Sequence, residues 1–304
     1  MHNKLITILK YSKILSLKSI FLFWAIIFIY SVLVAGHFLY GILSLLFFVF
    51  GALTVNIAGY LSDYTDFFNN DCNKESFLEK NKKFKPLISG VIKPNYIYSA
   101  IALVGIILLL FGTFLYIKTG KLFINLMIFS LVLSVLIIFR RKIVFSDLLP
   151  SFFYAPLIFC ITYFLMTKTI TADIILLSIP YILLSSGRLY IDSIKDYDFN
   201  SSCNKQTIAN LFDSQLDALV VFKWILYLIY FSPLILCAFD ILDWQILLTY
   251  ATIPIAMNLY NDLKEYASEK ENEENDLEKV LLKSNKLVLL YCIISIIAII
   301  LSAN

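Results

Sequence analysis

Apolar runs of membrane-crossing length alternate with short polar segments from one end of the chain to the other. A hydrocarbon core roughly 30 Å thick takes about 20 apolar residues per helical crossing. On that measure the runs predict about nine spans, at approximately 20–35, 38–60, 96–117, 121–139, 147–166, 172–191, 218–239, 243–260 and 287–302. Connections after the first, third, fifth and seventh runs are short, whereas those after the second, fourth, sixth and eighth are longer or more strongly basic. The expected fold is therefore all-α: a polytopic membrane protein, a bundle of about nine transmembrane helices, with residues 1–304 forming a single transmembrane domain.

Composition removes the soluble alternative. Of 304 residues 60% are hydrophobic and only 15% charged, more apolar surface than a water-soluble domain can hide. A net charge of +3 gives no reason to expect nucleic acid as a partner, but the placement of the charges is informative. Lys4, Lys10, Lys13 and Lys18 fall on the same side as the lysines from Lys74 to Lys93, as Arg140, Arg141 and Lys142, as Arg188, Lys195 and Lys205, and as the cluster from Lys264 to Lys286. Lys118, Lys121 and Lys168 fall on the other, with Lys223 near a span end. The positive-inside rule then predicts an integral, multi-pass protein of the cell (inner) membrane, with a cytosolic N-terminus and, for an odd number of spans, an outer C-terminus. The lysine-led N-terminal run is too long for a signal peptide and no small-residue cleavage site follows it, so it is read as the first span. The five cysteines have no ligand spacing: Cys160, Cys237 and Cys292 lie in apolar runs, Cys72 and Cys203 in polar loops.

Two acidic faces stand out on the basic side. If the second span continues as a helix, Asp63, Asp66 and Asn70 share one face at i, i+3 and i+7, with Asn56 two turns deeper. The sixth span ends with Asp192, Asp196 and Asn200 at i, i+4 and i+8. Carboxylates crowded on one face need a cation between them, and an oxygen-only set suits a hard ion such as Mg²⁺, which uses one or two carboxylates together with substrate phosphates. One such pair alone is more often a solvated helix cap. Two in equivalent positions, each followed by a basic loop, make a stronger case: Lys80, Lys82, Lys83 and Lys85 follow the first, and Lys205 follows the second. The segments Asp66-Phe-Phe-Asn-Asn-Asp-Cys-Asn-Lys74 and Asp198-Phe-Asn-Ser-Ser-Cys-Asn-Lys205 also echo each other. Acid beside base in a half-buried cleft suits a metal-bound diphosphate.

These residues resemble the UbiA-type intramembrane prenyltransferases. Ser62-Asp63-Tyr-Thr-Asp66-x-x-x-Asn70 with Lys85-Pro86-Leu87-Ile88-Ser89-Gly90 is similar to the family's first motif and its basic sequel. Asp192-x-x-x-Asp196 with Lys205-Gln206-Thr207 is similar to the second, and Arg140, Arg141, Lys142 and Asp147 to the basic turn between the fourth and fifth helices. Ser62 and Gly59 stand where asparagine is common, Asn70 replaces the third aspartate and Lys85 an arginine. The resemblance implies transfer of a prenyl group from a polyprenyl diphosphate to an acceptor, with an aromatic or quinone precursor among the acceptors left open. It implies Mg²⁺ as cofactor, held by Asp63, Asp66 and Asn70 on one side and by Asp192 and Asp196 on the other. Asn56, Asn70, Lys82, Lys83, Lys85, Arg140, Arg141, Arg188 and Lys205 are then the substrate-binding set, and Tyr64, Phe67, Tyr190 and Tyr197 are the aromatics nearest the motifs. With 26 Phe and 19 Tyr in the chain, packing or interfacial anchoring is the stronger reading of each aromatic.

Three lesser readings stand beside these. Arg188 serves equally well as a phosphate ligand or as a snorkelling interfacial arginine. Asn258, Asn261 and Asp262 read best as a helix cap, and the segment from Glu265 to Asn285 as a solvated helix or loop. Two other functions compete with prenyl transfer. One is a transporter, which calls for ionisable groups near mid-bilayer rather than at one face. The other is transfer of phosphoribose to a polyprenyl phosphate, suggested by Lys82-Lys83-Phe-Lys85-Pro86.

Overall fold

The computed structural model describes residues 171–202, 206–268 and 274–302, with isolated positions between 98 and 169. The first, second and fourth expected spans, the first acidic face with Asn56, Asp63, Asp66 and Asn70, and Lys82, Lys83, Lys85, Arg140, Arg141 and Lys205 lie outside the described residues.

Every element described is helical. In chain order these are α1 (Ala172–Lys195), α2 (Tyr197–Ser202), a 3-10 turn (Ala209–Leu211), α3 (Gln215–Ala238), a 3-10 helix (Trp244–Thr252), α4 (Ile253–Ser268) and α5 (Glu274–Ser302). Three of them, α1, α3 and the Lys279–Ser302 part of α5, are long and apolar enough to cross a membrane. They match the expected spans at 172–191, 218–239 and 287–302, and α1 is the most enclosed of the three.

Helix ends follow local chemistry. Ser214 caps α3, its hydroxyl oxygen accepting from the Asp217 amide at 3.1 Å. At the other end Asp240 adopts φ 53°, the Asp240 amide donates to Cys237 O and the Ile241 amide to Leu236 O, so the last carbonyls are satisfied by a Schellman turn. Three serines inside the spans turn back on their own helix: Ser178 donates to Ile175 O, Ser185 to Ile182 O and Ser232 to Ile229 O, so none of these three hydroxyls faces lipid unpaired.

The eighth expected span departs from a plain α-helix. Pro254 has no amide proton for the Tyr250 carbonyl, and the Ile253 amide takes that carbonyl three residues back instead. The preceding nine residues wind as a 3-10 helix, whose three residues per turn align Ile246, Thr249 and Thr252 on one buried stripe. The charged segment that follows is helix at both ends: α4 runs through Ser268, and α5 begins at Glu274. At 29 residues α5 is about 44 Å long, more than a hydrocarbon core, so its first turns with Lys279, Lys283, Asn285 and Lys286 extend past the apolar part.

Packing is tightest between α1 and α3. Gly187 makes it possible: a methyl group there would stand 3.3 Å from Ile225 Cγ2 and 3.6 Å from a Phe222 ring carbon. One turn on, the fully buried Tyr190 donates its hydroxyl to Ala218 O at 2.9 Å, locking α3's first turn to α1. On the other side α5 packs along the 3-10 helix and α4, and it touches α1 near the polar end of that helix.

Candidate active site

The second acidic face forms at the end of α1. Asp196 caps the helix, yet its amide still donates to Asp192 O at 3.0 Å and the Asn200 amide donates to Asp196 O at 2.8 Å. The winding therefore carries on into α2, and Asp192, Asp196 and Asn200 stay on one stripe as the i, i+4, i+8 spacing requires. Asn200 is 2% exposed, and its Oδ1 has no hydrogen-bond partner among the described residues. A buried amide oxygen left unsatisfied costs about 1–3 kcal/mol, so Asn200 Oδ1 is an acceptor available on this stripe as far as the described residues go.

Arg188 lies one turn before Asp192. Its Nη1 is 2.8 Å from Asp192 Oδ2, with the two side chains 23% and 32% exposed. An i,i+4 pair this open contributes about 0.5 kcal/mol or less, so a competing cation can draw Asp192 away cheaply. The guanidinium has a second tether: Nε donates to Asn285 Oδ1 on α5 at 3.2 Å. Lys195 Nζ sits 3.9 Å from Asp196 Oδ1. Tyr266 of α4 approaches the same stripe; burial first, then the charges of Asp196 and Asp198, push its phenol above the usual tyrosine range.

The loop after the stripe is tied down. Thr207, 1% exposed, donates its hydroxyl to Asn210 Oδ1, while Asn210 Nδ2 donates to Tyr197 O at 3.0 Å and to Ser201 Oγ at 2.5 Å. Tyr197 donates to Phe212 O at 2.6 Å. Burial, followed by the nearby Asp213, Asp198 and Asp217, raises its phenol as well. Tyr190 and Tyr197 thus serve as fasteners, in keeping with the packing reading of the aromatics.

The helix-cap reading of Asn258, Asn261 and Asp262 is corrected: all three lie inside α4, because the helix runs on to Ser268. Asn258 and Asn261 are exposed, whereas Asp262 is ion-paired with Lys283 of α5. Sequence reasoning missed Asn285 and Lys283, which it had placed in a solvated segment. Asn285 is separated from Arg188 by 97 residues, and only the folding of α5 alongside α1 joins them. Among the described residues no three acidic, histidine or cysteine side chains cluster as a metal site. The stripe offers two carboxylates and an amide oxygen, which is the partial shell a hard cation completes with phosphate oxygens.

The comparisons agree with this architecture. No curated protein matches the chain. A solved structure described as the apo structure of a UbiA homolog from Aeropyrum pernix K1 superposes with a TM-score of 0.67, covering 94% of this chain and 98% of that one at 13% identity, a likeness of fold. The model of the UbiA prenyltransferase family matches residues 21–287, from the first expected span into α5. An all-helical membrane bundle with an acidic stripe at a helix end, matched over that length, belongs to the UbiA prenyltransferase family, and the protein is a polytopic membrane prenyltransferase.

Proposed function

We propose that the protein transfers a prenyl group from a polyprenyl diphosphate to an acceptor within the membrane, in a reaction that depends on Mg²⁺. The observation that carries this reading is the stripe of Asp192, Asp196 and the unsatisfied buried Asn200, with Arg188 beside it. The oxygen-only donor set fits a hard cation. Asp192 and Asp196 would hold one Mg²⁺, and Asp63, Asp66 and Asn70 another. Bound there, the cations would neutralise the charge that develops on the leaving diphosphate. Arg188, Lys82, Lys83, Lys85, Arg140, Arg141 and Lys205 would grip phosphate oxygens, with Asn56 deeper in the cleft. The allylic C–O bond breaks with its electron pair leaving on diphosphate, and the acceptor's nucleophile supplies the pair for the new bond. Apolar helix faces would seat the chain and keep water from the allylic carbon.

The test supplies purified protein with Mg²⁺, a labelled prenyl diphosphate and a panel of aromatic acids, quinone precursors and sugar phosphates, and identifies lipid products by mass spectrometry. A prenylated acceptor formed only with Mg²⁺ supports the reading. Product from phosphoribosyl diphosphate and a polyprenyl phosphate instead would replace it. The basic side, and the site with it, is proposed to be cytosolic. A membrane-impermeant thiol reagent should then miss Cys72 and Cys203 in intact cells and label them in inverted vesicles. Labelling of either from outside overturns the proposed topology.

A further inference from the structure

We infer that Asn285 of α5 is a positioning residue for the Arg188 guanidinium, keeping it on the site when Asp192 is drawn to a cation. The inference rests on the reading above, in which Arg188 meets diphosphate. Arg188 has five N–H donors in a fixed plane. Its Nη1 faces Asp192 and its Nε donates to Asn285. Asp192 is the exchangeable partner, since a divalent cation competes for the same carboxylate. Without a second tether the freed arginine, on a flexible stem and near the end of a span, would swing toward the interface as snorkelling side chains do. Asn285 prevents that without adding charge. An aspartate at 285 would hold the guanidinium more firmly but would offset its attraction for phosphate, whereas the amide oxygen leaves the full positive charge for the ligand.

The tether also selects arginine. A lysine at 188 has no Nε–H at that height, so its ammonium could not hold Asn285 and reach forward together. Neighbouring groups leave the pair separate: Lys283 on α5 is taken by Asp262 of α4, and Lys195 lies against Asp196. Asn285 is thus an α5 side chain that reaches the motif on α1.

The experiment is calorimetric titration of inorganic pyrophosphate with Mg²⁺ into the full-length protein in detergent, for wild type, Asn285→Leu, Asn285→Gln, Arg188→Ala, Arg188→Lys and the double variant Arg188→Lys/Asn285→Leu, each with a melting temperature. Asn285→Leu should weaken pyrophosphate binding about tenfold, and Asn285→Gln, which keeps the acceptor oxygen, should recover part of it. In the Arg188→Lys background, Asn285→Leu should change affinity less than twofold, because the interaction is already gone. Wild-type pyrophosphate affinity in Asn285→Leu with only a lower melting temperature means that Asn285 merely ties α5 to α1, and the inference fails. Equal losses from Asn285→Leu in both backgrounds also overturn it. Unchanged binding in Arg188→Ala strikes instead at the reading of Arg188 as a diphosphate ligand.

Discussion

Two polar regions of the bundle are built on opposite principles. Between α3, the 3-10 helix and α5, Tyr230 shares a hydrogen bond with Thr252 at 2.8 Å, Tyr250 donates to Tyr230 O at 2.7 Å, and Thr252 and Thr249 turn back onto carbonyls three residues earlier. The rings of Tyr250 and Tyr291 meet Tyr230 edge-on at 6.0 and 6.3 Å. No formal charge enters, and these hydroxyls are consumed by structure. At the end of α1 the groups are charged, the Arg188–Asp192 pair is open, and Asn200 buries an oxygen with no partner among the described residues. In the first region neutral hydroxyls tie one helix to the next; in the second the groups are charged and their pairing is open, the character a bound cation or phosphate would call on.

The hardest blow to this contrast comes from the carboxylates. Asp192→Ala and Asp63→Ala should each lower the transfer rate at least about a hundredfold, roughly 3 kcal/mol of lost stabilisation where charge develops, while both variants remain folded in detergent. Full activity in either, measured as label transferred per minute, removes the proposed metal role. A sharper probe is Asn200→Asp. A new carboxylate that is almost wholly buried should destabilise the Mg²⁺-free protein by about 2 kcal/mol or more, and Mg²⁺ with pyrophosphate should restore much of the loss. Equal melting temperatures with and without the ligand would show that Asn200 does not face it.

On the structural side the expected effects are smaller and leave chemistry untouched. Tyr230→Phe should cost about 1 kcal/mol by removing the Thr252 partner, with kcat and KM unchanged. A change in KM would mean that the aromatic cluster reaches substrate. Smallest of all, Asp240→Gly should raise stability by up to about 1 kcal/mol, because glycine adopts the left-handed φ of the α3 terminus without a Cβ penalty. Denaturant titration in mixed micelles reads both.

The chain advertises some of this and conceals the rest. Long apolar runs and an Asp-x-x-x-Asp at the end of one of them are periodic, local signals, so α1, α3 and the second acidic face were readable from residue order. Asn285 and Lys283 were not, since a mixed-charge segment carries no mark of which side chains fold back on the site. The helical pitch of residues 244–252 was equally hidden, although Pro254 could have announced that the carbonyl at 250 needed another donor. Gly187 also kept its secret: its value lies in Ile225 and Phe222, a helix away.

The 3-10 stretch before α4 has a consequence for how the chain tolerates change in length. At about 2.0 Å per residue, nine residues advance roughly 18 Å, a distance an α-helix covers with twelve. The crossing is economical in chain, and its facing rule is different: every third residue returns to the same side. A deletion or insertion of three residues between 244 and 252 would therefore keep Ile246-like positions turned inward, while one of four would turn them out toward lipid. Four is nearly harmless to the facing of an ordinary helix, so relatives that differ in length here should differ by threes.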